Sequence, residues 1–384
     1  MDKYGEMFMA MNRNIDLKFI PLPPRDGDPT LFRQQVIDLI QEEQPDLIYV
    51  PNYDVFSGLI EQGQLYELQG LISRDSKNQY HTGVIERIKQ FGDDKLYGLS
   101  STFRRKGLFY NPSLFVENNV LPPSDKMTWD QLLSIAEQFN GITNKNGDPI
   151  AGLAIYDHAH VFSILAEICA TEQLYLLGEN NILFDTSEWS SLFSRFVDGV
   201  MNGYIYIVTS DPTDTLEDLN EKMKFHRNNA AMALGYDGMI NSFEDHLKWE
   251  VVSEPVNAEN PDLAYTLNIN ELFSINKQSN AIAATWELLK LMNSDKNTYD
   301  RNYFELTSFM EMTEWNGVNV EPFYDFTGVL LPPQEHAPAG FFAAFDIMAR
   351  QVTDQVLDGS ISIEEAIVRI QQQGDLLYAS EIIE

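Results

Sequence analysis

PDLIYVPNYDVFSGLI, residues 45–60, carries the first decision about the fold. Leu47-Ile48-Tyr49-Val50 is a short apolar run of strand-forming residues, and Pro51 ends it. Asn52, Tyr53 and Asp54 then fall in a loop before the apolar run that opens at Val55. Working outward, residues 15–20 (IDLKFI) alternate as a strand does, and the turn-rich PLPPRDGDPT follows. Asp28 before Pro29 predicts a helix start, because the Asp oxygen caps free amides and proline tolerates the first helical position. Leu31, Phe32, Val36, Leu39 and Ile40 then recur at helical spacing. Strand, helix and strand in succession predict a parallel sheet of the α/β class, whose ligands sit at the carboxyl ends of the strands. Asn52, Tyr53 and Asp54 occupy that location; ligand contact is one reading, and the turn preference of Asn and Asp is the other.

Further along, KLYGLSS (95–101), GLFYN (107–111) and GLAIY (152–156) are predicted strands. Thr128 with Gln131 three residues on predicts a capping box for the helix WDQLLSIAEQF. Helices are predicted at 159–178, 188–202 with a stop at Gly203, 281–294, 339–358 and 362–373, with Gly359 between the last two. With neither a repeat nor a low-complexity linker, the 384 residues predict two α/β lobes that interleave in sequence.

With 26 Lys and Arg against 58 Asp and Glu, the formal charge of −32 repels phosphate backbones and anionic lipid headgroups. Nucleic acid and membrane surfaces are therefore poor partners. Cys169 is the single cysteine, so neither a disulfide nor a cysteine metal site is expected, and no apolar stretch approaches the roughly 20 residues of a membrane span. G-x-S-x-G, H-E-x-x-H, P-loop and G-x-G-x-x-G patterns are all missing, which removes several common chemistries. His158 and His160 share a strand face without a third ligand nearby, and Asp211, Asp214, Glu217 and Asp218 lack the spacing of a calcium loop. No metal and no cofactor is expected.

Four stretches together resemble the bacterial extracellular solute-binding proteins of ABC importers, the group that includes maltose-binding protein. They are QPDLIYVPNYDVFSGLIEQGQLYEL (44–68), KLYGLSSTFRRKGLFYNPSLFVENNVLPPSDKMTWDQLLSIAEQF (95–139), RNNAAMALGYDGMI (227–240) and SINKQSNAIAATWELLKLMNSDKN (274–297). Asn119 stands where the family usually has glycine, and Gln278-Ser279-Asn280 where it has Ser-Lys-Asn. The family opens with a sheet strand ahead of the helix that MDKYGEMFMAMNRN matches, so a trimmed start is expected.

The resemblance implies a two-lobe, periplasmic-binding-protein-like (type II) α/β fold with a hinge and an interlobe cleft. It places the first lobe at 1–105 plus about 266–300 and the second at 106–265 plus about 301–384. It implies a monomer outside the cell, anchored as a lipoprotein in its precursor, that delivers a solute, expected to be a carbohydrate, to an ABC permease. A ligand-sensing ectodomain for a non-sugar solute and a carbohydrate-active enzyme are the alternatives. The matched positions nominate Asn52, Tyr53, Asp54, Thr102, Phe103 and Arg104 from the first lobe and crossing strand, and Tyr236 and Asp237 from the second lobe. Asn268, Asn270 and Glu271 on the returning strand and Phe341 and Phe342 at a helix start complete the set. Arg104, within Arg104-Arg105-Lys106, raises the question of an anionic solute, since a guanidinium reads carboxylate or phosphate; pairing with surface carboxylates is the other reading.

Overall fold

The computed structural model describes residues 2–25, 28–74, 80–156, 160–209, 213–269, 271–294, 303–309, 311–333, 335, 337 and 340–381. The chain divides into two compact units: Met1–Arg105, Thr266–Thr313 and Phe326–Val329 form the first, and Lys106–Tyr265, Glu314–Asp325 and Leu330–Glu384 the second. The residues up to Thr313 join the first unit because Leu306–Thr307 pairs with Thr102–Arg104.

In the first unit, the helix Pro29–Glu43 starts as its sequence predicts: the Asp28 carboxylate accepts from the Thr30 amide at 2.8 Å, and Pro29 follows. It buries Phe32, Val36, Ile37 and Ile40, while Leu31 faces out. The strand Leu47–Val50 pairs antiparallel with Leu272–Ile275, which pairs antiparallel with Leu99–Ser100. A second small sheet puts Thr102–Arg104 between Asn268–Ile269 and Leu306–Thr307.

Two expectations are corrected here. Residues 15–20 alternate, but they form no strand, because a strand needs a hydrogen-bonding neighbour and an apolar groove separates them from Leu47–Val50. The parallel strand–helix–strand unit therefore does not form, and both pairings in that sheet are antiparallel. Asn52, Tyr53 and Asp54 are not a loop either: Asn52 caps the helix Tyr53–Glu61 by accepting from the Val55 amide at 2.9 Å.

The second unit is built on a five-stranded mixed sheet in the order Ile205–Ile207, Ala151–Ile155, Ala230–Tyr236, Lys106–Tyr110, Glu250–Ser253. Ala151–Ile155 pairs parallel with both neighbours, and Lys106–Tyr110 antiparallel with both of its own. Helices Trp129–Glu137, Val161–Glu172, Ser187–Met201 and Phe341–Leu357 bury Trp129, Leu132, Phe162, Phe193, Phe196 and Phe345 in the same core as Leu153 and Leu234. Thr128 and Gln131 form the predicted capping box. Asn119 adopts φ 56°, the left-handed conformation that glycine favours and asparagine tolerates, so the helix Pro112–Asn118 ends as it would with the family's glycine. Gly152 lies so close to the helix Trp129–Glu137 that a Cβ there would meet the Ala136 carbonyl oxygen at 2.1 Å. The last helix runs Ile363–Glu381, past the predicted end at 373, because Gly374 does not stop it; it lets Ile182 pack within 2.3 Å of where a Cβ would be.

Candidate functional site

In the first unit the nominated residues converge on the small sheet around Thr102–Arg104. Tyr53 opens its helix, and its hydroxyl accepts from the Ile269 backbone amide at 3.0 Å. Ile269 pairs with Phe103 and Asn268 with Arg104. The Ser101 hydroxyl, one residue before the central strand, reaches the Glu271 carboxylate at 3.5 Å. Asn270 lies outside the described residues.

These side chains are not equally available. The Tyr53 ring stacks on Phe91, with centroids 4.3 Å apart and planes at 13°, and the Arg87 guanidinium sits 5.4 Å from its centroid. Burial pushes the Tyr53 hydroxyl above its ordinary range, against the lowering effect of the Ile269 amide and of Arg87. Asp54 is exposed, 3.6 Å from Arg33 Nε. Phe103 is fully buried between His81 and Phe326. Thr102 is buried, and its hydroxyl has no partner among the described residues, nor has that of Ser308, which follows the strand paired to it. Arg104 is half-buried.

In the second unit, Tyr236 ends its strand as predicted, directly opposite Lys106, and is half-buried. Lys106 Nζ lies over the Tyr236 ring, 5.5 Å from its centroid, and 2.7 Å from Glu167 Oε2. Asp237, at the start of the 3-10 segment Asp237–Ser242, is 1% exposed. Phe341 is fully buried, stacked on Phe345 and edge-on to Tyr378, whereas Phe342 is 45% exposed at the same helix start. His226 packs behind the turn that follows Tyr236: its Nε2 lies 2.9 Å from Ser242 Oγ, and burial holds its pKa below the ordinary histidine range.

The Arg-Arg-Lys triplet does not behave as surface charge. Arg105 is 1% exposed with its guanidinium over the Phe326 ring, and Lys106 is buried with Glu167. Sequence reading noticed the triplet but missed Glu167; the available signal was a lone carboxylate inside the apolar run Phe162–Ala170. Arg87, in the last turn of the helix Thr82–Lys89, and Phe91, just past its end, fix Tyr53 and carry no signal beyond an aromatic four residues after a cation.

His160 caps the helix Val161–Glu172 by accepting from the Phe162 amide and faces Asp354 at 3.0 Å, while His158 lies outside the described residues. Asp214 pairs with Lys222 at 2.7 Å, and Asp218 closes a capping box with Thr215; Asp211 lies outside the described residues. Among the described residues no group of three or more His, Cys, Asp or Glu could hold a metal ion, and no helix is long and apolar enough to cross a membrane. A groove of about 250 Å³ lies in the first unit between residues 18–22 and the Leu47–Val50 strand; its lining includes Phe19, Leu39, Leu47 and Phe273 and none of the nominated residues.

No curated protein sequence matches the chain. Among solved structures it is similar in fold to the M. tuberculosis protein UspC, at 15% identity and a TM-score of 0.65 over 98% of this chain and 96% of that one. It is similar to the sugar-binding protein MalE from the phytopathogen Xanthomonas citri, at 16% identity and a TM-score of 0.62 over 99% and 94%. It also resembles the ABC substrate-binding protein Lmo0181 from Listeria monocytogenes, solved in complex with cycloalternan, at 18% identity and a TM-score of 0.57 over 98% and 94%. These likenesses carry the two-lobe α/β fold class. The family model of the bacterial extracellular solute-binding proteins matches residues 3–311. The chain belongs to the bacterial extracellular solute-binding proteins.

Proposed function

We propose that the protein captures a carbohydrate, an oligosaccharide or a similar polyol-rich solute, outside the cell and hands it to an ABC permease, acting as a monomer anchored as a lipoprotein. The observation that carries the sugar assignment is the fold likeness to MalE and to the cycloalternan-bound Lmo0181, added to membership of the solute-binding family. The chemistry of the nominated residues supports it. A sugar offers apolar C–H faces and a polar rim, so it suits half-exposed aromatic rings beside hydroxyl groups. Tyr236 and Phe342 in the second unit supply such rings. Arg104 and Glu271 are proposed to read the sugar's rim. Phe103 and Phe341 contribute through packing, Phe103 against Phe326 and Phe341 against Phe345.

Titration calorimetry against mono- and oligosaccharides, amino acids, peptides and phosphate tests the assignment. Binding of a sugar is expected. Silence across every sugar together with tight binding of an amino acid, peptide or phosphate rejects it. A thermal-shift screen is a fast first pass, since a ligand at a hundredfold its Kd stabilises the folded state by about 2.7 kcal/mol.

A further inference from the structure

A polar depression of about 430 Å³ opens on the second unit, at the end of the sheet away from Tyr236. Tyr236 pairs with Lys106 at one end of their two strands, while Asn111 and Asn229 lie at the other, just past Tyr110 and just before Ala230. Two side-chain amide pairs build its wall, and the backbone fixes which way each amide points. Asn111, 2% exposed, accepts from the Ser113 backbone amide at 3.0 Å, so its nitrogen donates to Asn228 Oδ1 at 2.7 Å. Asn144 accepts from the backbone amides of Asn146 and Asp148 at 2.8 and 2.9 Å, so its nitrogen donates to Asn229 Oδ1 at 2.9 Å. A backbone N–H only donates, so the group left over in each pair is a donor: Asn228 Nδ2 and Asn229 Nδ2, for which no acceptor is found among the described residues. Lys145, Arg227 and Lys248 line the same depression, are exposed, and have no carboxylate partner among the described residues. Glu117 is the one carboxylate among the described lining residues, and His246 faces Glu244 at 3.2 Å. In a chain of 26 Lys and Arg against 58 Asp and Glu, this patch reverses the prevailing sign of charge.

We propose that this depression is a second binding site, for the phosphate group of a phosphate monoester. Orphan donors and unpaired cations need a ligand made of acceptors and negative charge. A phosphate monoester offers three terminal oxygens and a charge of about −1.5 to −2 at pH 7, whereas a carboxylate offers two oxygens and one charge, too few to engage two amides and three cations. The Arg227 guanidinium is a planar fork that suits two phosphate oxygens, and the two ammonium groups act as point charges beside it. The volume exceeds a bare phosphate and leaves room for the ester's organic part. The same chemistry is carried by a free ester and by a lipid headgroup with a terminal phosphate. The site stands apart from the carbohydrate reading above in place and in chemistry, because a neutral sugar would leave the three cations unpaired.

Calorimetry on the intact protein at low salt, where exposed charges are least screened, tests the soluble source with inorganic phosphate and glycerol 3-phosphate. Cosedimentation with phosphatidylcholine vesicles, with and without phosphatidic acid, tests the lipid source. Glycerol 3-phosphate is expected to bind with a Kd below about 1 mM. Arg227→Gln combined with Lys248→Gln should weaken that binding by at least about tenfold. Asn229→Asp keeps the acceptor that Asn144 uses and turns the orphan donor into an acceptor, so it should cost at least as much. Sugar affinity is expected to stay unchanged in both variants, because the substituted residues lie at the far end of the sheet from Tyr236. Should the double variant fail to fold, Lys145→Gln, on an exposed turn, carries the comparison. Silence to both soluble probes together with no preference for phosphatidic acid overturns the proposal, as does binding that these substitutions leave unchanged. Substitution-sensitive binding of the soluble probes supports it with a free ester as the source. Substitution-sensitive capture by phosphatidic acid alone supports it with the headgroup as the source. Failure of the sugar panel leaves this site standing, so the two readings fall separately.

Discussion

Replacing Gly152 by alanine tests the packing of the second unit at its tightest point. Gly152 is the second residue of the strand Ala151–Ile155, and the Cβ of an alanine would stand 2.1 Å from the Ala136 carbonyl oxygen and 2.7 Å from the Ala136 carbonyl carbon and Cα. All three obstacles are backbone, so no side-chain rotation relieves them. The helix Trp129–Glu137 must retreat from the strand by roughly 1 Å to restore ordinary contact, since attractive non-bonded separations begin near 3.5 Å and carbonyl contacts a little below that. That helix buries Trp129, Leu132, Leu133 and Ala136 in the core, so retreat loosens the whole layer. Overpacking of a filled core costs about 1–3 kcal/mol, and a backbone obstacle puts Gly152→Ala at or above the upper end. The entropy that alanine removes from the unfolded chain returns only about 0.4–1 kcal/mol. Gly141→Ala is the comparison: that glycine has φ 76° and open space around its Cβ position, so it costs left-handed strain alone, about 1–2 kcal/mol. Urea unfolding followed by circular dichroism and tryptophan fluorescence measures both. A Gly152→Ala protein within 0.5 kcal/mol of wild type, or one no worse than Gly141→Ala, would refute the close-approach argument.

Three further predictions concern the nominated residues and the pH response. Tyr236→Ala should weaken binding of the sugar identified by calorimetry by about 1–3 kcal/mol while leaving the urea midpoint nearly unchanged, and unaltered affinity removes Tyr236 from the site. Tyr53→Phe deletes the acceptor of the Ile269 amide and should lower stability by about 0.5–1.5 kcal/mol in the same unfolding assay; no change would mean the 3.0 Å hydrogen bond contributes nothing net. Burial raises the pKa of Tyr53, Tyr110, Tyr156, Tyr204, Tyr206 and Tyr265, with Tyr204 pushed up to about 12. A raised folded pKa means the protonated form is favoured in the native state, so this contribution is fully present below about pH 10 and is lost as pH rises through the folded values. Thermal melts should therefore fall steeply above pH 10, and a flat profile from pH 9 to 12 would contradict the burial of these hydroxyls.

Local chemistry was legible wherever a few neighbouring residues settle it. Asp28 before Pro29, Thr128 with Gln131, Gly203 at φ 77° and Gly359 at φ 78° mark helix ends that need no partner elsewhere in the chain. The same short-range reading failed where the outcome depends on something distant. IDLKFI has the alternation of a strand and finds no neighbour to pair with. Asn52-Tyr53-Asp54 has turn-forming residues, and the apolar run after it draws them into a helix instead. In the candidate site, Tyr53, Thr102 and Arg104 were nominated by motif position, but only the fold reveals that the Tyr53 hydroxyl is engaged by Ile269, 216 residues away, and that Phe103 points into the core. Phe341 and Phe342 are indistinguishable as letters; a helix places neighbours about a third of a turn apart, so one is buried and the other exposed.

The amino-acid sequence by itself determined the family, the α/β class, the helix boundaries set by caps and glycines, and the positions worth inspecting. Capping, turn strain and hydrophobic period all act within a few residues, so their record survives in a linear string. Tertiary structure alone decided strand direction in the first unit, the pairing of Lys106 with Glu167 across 61 residues, and which aromatic rings are buried. Those outcomes depend on which distant groups exclude water together, and no local pattern encodes that.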